Sequence, residues 1–276
     1  MHGAEKLAYH DRHVTVSAHH EMGSDMKVSD AMGVAVFVCS SDNRRDVVDQ
    51  TLPALVKFWP TCPWPILIGL NTNEPPVMFG SAILSPPSEW RREFANQLDQ
   101  IAEPYLLLIL DDFLIEAPVD QRRLSDLARE VVSLGLDYLR LVPLGRSLAA
   151  RVKGKAVPRL SDRIERVPSR HPFYCAMQAA IWRKSYLQRL LKDPLSIWEF
   201  ERRYVPGSMH GAVIDAPPIA YHHVVERGRW LPDVIPRFNR ILLPVSLGMR
   251  PQWSRMRSLY AFAERIQWSV CGYSNC

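Results

Sequence analysis

Tyr105-Leu-Leu-Leu-Ile-Leu-Asp111-Asp112-Phe113-Leu114 is the stretch whose reading decides the fold. Five consecutive aliphatic residues run straight into two adjacent carboxylates. A short apolar run with a polar stop reads as a strand buried on both faces. Working upstream, Val34-Ala-Val-Phe-Val-Cys39 and Ile66-Leu-Ile-Gly-Leu70 have the same character, and downstream so does Tyr138-Leu-Arg-Leu-Val142. Between them apolar residues recur at helical spacing. Val48, Leu52, Leu55, Val56 and Trp59 mark one helix, with Pro53 as a possible kink. Trp90, Phe94, Leu98 and Ile101 mark a second, and Leu124, Leu127, Ala128, Val131 and Val132 a third that Gly135 can stop. Strand and helix alternate four times, which predicts an α/β fold with a mostly parallel central sheet flanked by helices. Such sheets bind ligands beyond the carboxyl ends of their strands. That rule selects residues 40–43, 71–74 and 111–113.

Beyond Pro143 the alternation fails, and a less regular C-terminal part is expected. Residues 145–170 read as a long basic loop. Helices are expected at about 181–191 and 198–204, and a strand at 219–225. The chain from Leu231 is rich in Pro and Arg, then helix-like over about 253–268. Residues 1–32 show no period and read as a flexible lead-in. The expected division is a lead of 1–32, a single catalytic domain of 33–230 and a basic extension of 231–276. The domain would divide into halves of 33–145 and 146–230.

The chain has 276 residues, with 34 Lys+Arg against 29 Asp+Glu, 47% hydrophobic and 23% charged residues. That is ordinary globular composition and excludes a wholly disordered chain. No apolar run reaches the roughly 18–20 residues of a membrane span. The first residues lack the apolar core of a secretory signal, and five scattered cysteines form no C-x-x-C pair, so a reduced cytoplasmic setting is expected. The net charge of +5 is uneven. Residues 146–170 and 226–265 are strongly basic, so both are candidates for anionic partners, or simply solvated surface. Gly-rich phosphate loops of the G-x-G-x-x-G and G-x-x-x-x-G-K-[ST] kinds are absent, as is a G-x-S-x-G elbow. Dinucleotide-dependent dehydrogenases, P-loop NTPases and the common α/β-hydrolases are therefore disfavoured.

Asp111-Asp112 is the sharpest chemical feature. Carboxylates at a buried strand end need neutralising, either by a divalent cation such as Mg²⁺ or Mn²⁺ or by one of the many arginines. Glu199 and Glu201, in Trp198-Glu-Phe-Glu201, pair carboxylates with aromatics, which suits a general base beside a sugar platform. Two residues apart on a helix diverge by about 200°, so only one of the two can face a pocket there. The plain alternative is a helix edge paired to Arg202 or Arg203. His222 and His223 fall in a strand and point to opposite faces, so one ring can face a metal, and His222 is the expected ligand. Ser40, Asp42, Arg44 and Asn71 occupy strand-end loops suited to a nucleoside, although Asp42 also reads as an Asx-turn.

With these residues in view, the chain resembles a bacterial glycosyltransferase of the GT-A type, family-2-like or galactosyltransferase-like. The likeness spans about residues 34–230. It is carried by Ser40-Ser-Asp-Asn43, by Leu-Ile-Leu-Asp111-Asp112-Phe-Leu, by Pro172-Phe-Tyr-Cys-Ala-Met-Gln-Ala-Ala-Ile-Trp182 and by Trp198-Glu-Phe-Glu201. The resemblance implies a nucleotide diphosphate-sugar donor, UDP- or GDP-linked, with the base held by the first strand's loop. It implies Asp112 as metal ligand, with Asp111 contacting ribose or sugar and also counted as a ligand. Phe113 stands where a strict D-x-D motif has its second Asp. It implies Glu199 as the preferred base with Glu201 as its rival, Trp198 at the acceptor, and Gln178 and Trp182 lining the sugar pocket. The acceptor would be a glycan or lipid-linked precursor of a bacterial surface polysaccharide. The Arg- and Trp-rich C-terminal segment would then touch anionic lipid at the inner face of the cytoplasmic membrane. Two rivals stand beside this reading. One is a nucleotidyltransferase acting on sugar phosphates, though residues 40–43 hold no Gly. The other is a basic nucleic-acid-binding module, which the acids at the strand ends oppose; no nucleic-acid partner is expected.

Overall fold

A computed structural model describes residues 33–72, 79–144 and 157–254. Eight strands form one sheet: β1 (Val34–Cys39), β2 (Ile66–Leu70), β3 (Ser81–Leu84), β4 (Tyr105–Leu110), β6 (Tyr138–Arg140), β7 (Ile164–Arg166), β8 (Ala180–Arg183) and β9 (His210–Val213). Their order is β3-β2-β1-β4-β8-β6-β9-β7. The pairs β2–β3, β1–β2, β1–β4 and β6–β9 are parallel, whereas β8 runs antiparallel to both β4 and β6, and β7 antiparallel to β9. This is the expected α/β architecture, a mostly parallel sheet with helices on both faces.

Alternation along β1 shows how the sheet is covered. Val34, Val36 and Val38 pack with α1 (Arg45–Phe58) and α3 (Gln121–Ser133) through Val48, Leu52, Leu55, Leu124 and Leu127. Ala35 and Phe37 face the other way, toward Phe94 and Leu98 of α2 (Trp90–Asp99), Tyr186 and Leu187 of α4 (Lys184–Leu190) and Phe200 of α5 (Ile197–Arg202). A strand buried on both faces cannot alternate in polarity, which is why these runs are continuously apolar. Pro53 sits inside α1 on its exposed side, where water can take up the carbonyl left without a donor. Gly135, at φ +65°, follows α3 as the left-handed stop that the sequence suggests.

Several elements depart from expectation. Residues 180–183 are strand, not helix. Ala-Ile-Trp-Arg is too short to fix a period, and the position between β4 and β6 decides for pairing. The helix begins only at Lys184. The basic stretch contains β7, and the edge strand β3 was not anticipated. Immediately after the acidic pair the chain forms β5 (Phe113–Ile115), which pairs antiparallel with β10 (Tyr221–His223). A small ribbon of β11 (Val225–Glu226) and β12 (Arg229–Trp230) follows. Then comes α6 (Val234–Arg240). Trp230, Val234, Phe238 and Ile241 are buried against Val47 and Ala54 of α1 and Leu114 of β5, so the segment after residue 230 packs on the body of the domain. The lead of 1–32, part of the basic loop (145–156) and nearly all of the expected helix at 253–268 lie outside the described residues. Among the described residues no helix is long and apolar enough to cross a membrane.

Candidate active site

The carboxyl ends of β1 and β4 lie side by side, and this juxtaposition builds the first half of the site. The chain leaves β1 through Ser40 and a single 3-10 turn over Asp42–Arg44. That turn aims Arg44 at Asp111, with Nε 2.6 Å from Oδ2 and Nη2 2.6 Å from Oδ1. Ser40 Oγ donates to Asp111 Oδ2 at 2.8 Å, and Thr51 Oγ1 of α1 donates to the Asp111 carbonyl at 2.6 Å. Burial pushes the Asp111 carboxyl upward, opposed by Arg44 and Ser40. The neutralising partner of Asp111 is thus an arginine. Asp42 and Asn71 lock the β1 and β2 loops together. The Asn71 N–H donates to Asp42 Oδ1 at 2.8 Å, and the Asp42 N–H donates to Asn71 Oδ1 at 2.9 Å. The Asn71 contact, followed by the effect of Thr72, holds the Asp42 carboxyl below its ordinary range. Ser40, Asp42, Arg44, Asn71 and Asp111 therefore do come together, as a mutually bonded frame.

Asp112 is buried but keeps a freer carboxylate, with Oδ2 3.4 Å from Nδ1 of His223. His223 is brought there by the β5–β10 pairing, in which it stands opposite Phe113 and packs edge-on against that ring at 4.6 Å. His222 faces the other side of β10, where Nε2 lies 3.5 Å from Asp233 Oδ2, and burial lowers its pKa. This corrects the expectation for His222: strand alternation sends His223, not His222, to the acidic turn. For the expected Mn²⁺ or Mg²⁺, Asp111 also fits poorly, because both its oxygens are occupied by Arg44 and Ser40. Asp112 and His223 are the donors that suit one cation, leaving its remaining positions to substrate oxygens. No cluster of three or more such donors occurs among the described residues.

The second half of the site comes from α5 and the approach to β8. Ser196 caps α5 in a reciprocal box: its Oγ accepts from the Glu199 N–H, and Glu199 Oε2 accepts from the Ser196 N–H at 2.8 Å. Glu199 is therefore exposed and bound to its own helix start, where Ser196 lowers its pKa. Glu201 points inward. Its Oε1 accepts the Met177 N–H at 2.8 Å, and burial raises its pKa against the pull of that N–H, His223 and Arg140. Of the two carboxylates the structure turns Glu201 toward the site and Glu199 away from it. Trp198 is 55% exposed. Trp182 is a correction: it is fully buried in the core beside Tyr138, Tyr186 and Phe200, so it does not line an open pocket. Gln178 does reach the site, and its Oε1 accepts from Nη2 of Arg140 at 2.6 Å. Arg140 itself went unnoticed in the sequence, because one charged residue inside an apolar strand carries no motif.

No protein-family model matches the chain, and no curated protein matches it. Solved structures of similar shape include residues 1–349 of S. aureus TarS in complex with UDP, at 15% identity and TM-score 0.44, covering 88% of this chain and 73% of that one. CMP:2-keto-3-deoxy-manno-octonic acid synthetase complexed with CTP aligns at 10% identity and TM-score 0.47, over 76% of this chain and 97% of that one. A cytidylyltransferase from Leptospira borgpetersenii aligns at 8% identity and TM-score 0.43, over 89% and 99%. In two further alignments to S. aureus TarS the chain spans 59% and 44% of that protein's length. At these identities none of them assigns an activity to this chain.

Proposed function

We propose that the protein is a glycosyltransferase that moves a sugar from a nucleotide diphosphate-sugar to an acceptor hydroxyl. The observation that carries this reading is the placement of one half-buried carboxylate, Glu201, within electrostatic reach of His223, whose Nδ1 lies 3.4 Å from Asp112 Oδ2. The Ser40–Asn71 frame is suited to a nucleoside, and the acidic turn to its sugar diphosphate. Glu201 is suited to take a proton. In the proposed step the acceptor oxygen bonds to the anomeric carbon as the bond from that carbon to the diphosphate oxygen breaks. The acceptor proton passes to Glu201, and the electron pair leaves with the nucleoside diphosphate. A divalent cation, when held by Asp112 and His223, would supply positive charge at the leaving diphosphate. The raised Glu201 pKa makes it a stronger base than an exposed carboxylate, while Arg140 and His223 limit the rise.

The acceptor is proposed to be a glycan or lipid-linked precursor, met at the inner face of a bacterial membrane by the Arg-rich segment after residue 226. The test is product analysis. Purified protein is incubated with UDP- and GDP-sugars, Mn²⁺ and acceptor mixtures, and the released nucleotide is identified. Nucleoside diphosphate release with sugar transfer supports the reading. Pyrophosphate release from a nucleoside triphosphate and a sugar phosphate would establish nucleotidyl transfer in its place.

A further inference from the structure

Arg140 ends β6 in register with Ala180 of β8 and Ala212 of β9, two small neighbours that leave room for a long side chain on that face of the sheet. The face is the one shared with Tyr138 and covered by α4 and α5. Arg140 is 5% exposed, yet only its Nη2 has a partner, the amide oxygen of Gln178. Its Nε and Nη1 are enclosed without any hydrogen-bond acceptor. Buried guanidinium nitrogens are ordinarily paired, because their hydration is lost and must be replaced. Glu201 lies within electrostatic reach but gives its Oε1 to the Met177 N–H. Among the described residues the guanidinium therefore keeps two N–H donors, on Nε and Nη1, that no acceptor satisfies, beside the proposed base.

We infer that Arg140, backed by Gln178, is an oxyanion subsite that takes a phosphate or carboxylate group of the substrate. Nη2 carries a second N–H beside the one given to Gln178, and together with Nε or Nη1 it forms a two-donor edge that matches two oxygens of such a group. The inference deepens the proposed transferase reading and rests on it for the meaning of "substrate". The oxyanion has two possible sources: the donor's diphosphate, or an acid group on the acceptor. β6 is separated from β4 by β8, and Arg140 stands level with Leu108 of β4, so the subsite lies two strands across from β4 and three residues short of Asp111 along it.

Calorimetric titration of the full-length protein tests this with four probes: UDP, inorganic pyrophosphate, glycerol phosphate and glucuronate. The wild type should bind at least one, and Arg140→Met should weaken that binding at least tenfold, with partial recovery in Arg140→Lys. Loss confined to UDP and pyrophosphate assigns the subsite to the donor; loss confined to glycerol phosphate or glucuronate assigns it to the acceptor. Gln178→Glu places an internal carboxylate on the same guanidinium. It should raise the thermal midpoint while lowering oxyanion affinity, and it guards against a misfolded Arg140→Met. Equal affinities in wild type, Arg140→Met and Gln178→Glu, or no binding of any probe, would overturn the subsite. Oxyanion binding that depends on Arg140 in a protein that transfers no sugar would retain the subsite and remove the transferase reading.

Discussion

The guanidinium of Arg44 grips the carboxylate of Asp111 with two nitrogens, each 2.6 Å from its own oxygen, across 67 residues of sequence. Arg44 keeps 30% side-chain exposure whereas Asp111 keeps 4%, so the cost of losing the pair falls on the acid. Arg44→Met should destabilise the domain by about 2 kcal/mol at pH 7, below the roughly 3–5 kcal/mol of a fully buried pair because of that exposure. The sign with pH follows from Asp111. Burial raises its carboxyl pKa, and without Arg44 nothing but Ser40 opposes the rise. A carboxyl whose folded pKa is raised favours the folded state at acid pH, and that stability is lost as pH rises through the carboxylate range. Urea midpoints of wild type and variant should therefore converge toward pH 4 and separate toward pH 7. Parallel curves would count against the pairing.

Glu201→Gln should keep the hydrogen bond from the Met177 N–H and preserve nucleotide binding while lowering turnover by about 10²–10⁴, the usual contribution of a general base. Glu199→Gln should leave turnover near wild type and only slightly lower the thermal midpoint through its cap. Turnover should also fall on acidification through a pKa above the ordinary glutamate value, because Glu201 must be unprotonated to act. Initial rates across pH 4–8 check both statements.

How much of this was legible beforehand differs between the two halves of the molecule. β1, β2 and β4 were readable residue by residue because strands buried on both faces are continuously apolar. The partner of Asp111 was not readable, since an acid at a strand end calls equally for a cation or an arginine, and only the turn over Asp42–Arg44 selects Arg44. Glu199 and Glu201 were recognised as divergent, but which one turns inward depends on Ser196 capping the helix at that register. His222 and His223 were likewise recognised as opposite-facing. Assigning His223 to the acidic turn required its pairing partner, β5, a three-residue strand too short to leave a sequence pattern.

His210 offers a stability test away from the chemistry. Its ring stacks on Tyr174 at 4.0 Å and bonds to the Tyr186 hydroxyl at 2.8 Å, and burial pushes its pKa from 6.5 down to about 4. A histidine depressed in this way contributes stability above its unfolded pKa and loses it as pH falls toward the folded one. The domain should therefore lose about 3 kcal/mol between pH 6.5 and 4 on this account, at about 1.4 kcal/mol per pKa unit. His210→Gln should flatten that part of the profile while lowering stability at pH 7. Chemical denaturation at several pH values makes the comparison.

The two neighbouring histidines should separate cleanly by substitution. His223→Ala should weaken Mn²⁺ binding at least several-fold and reduce turnover, because it removes the ring beside Asp112. His222→Ala should leave both unchanged within error, since its ring contacts Asp233. Manganese titration followed by water proton relaxation distinguishes the outcomes.

Arg250 gives a different kind of consequence. Its Nε and Nη2 hold the carboxylate of Asp46 at 2.6 Å each, and Nη2 also donates to the Asn43 carbonyl, joining positions 204 and 207 residues apart. The turn that carries Arg44 is thus clasped from behind by a residue made long after it. During synthesis β1, α1 and β4 can assemble as soon as they emerge, but the clasp cannot close until residue 250 has left the ribosome. Contacts this distant in sequence form slowly even in a released chain. The β1 end of the candidate site, translated well before residue 250, is among the last parts to be finished.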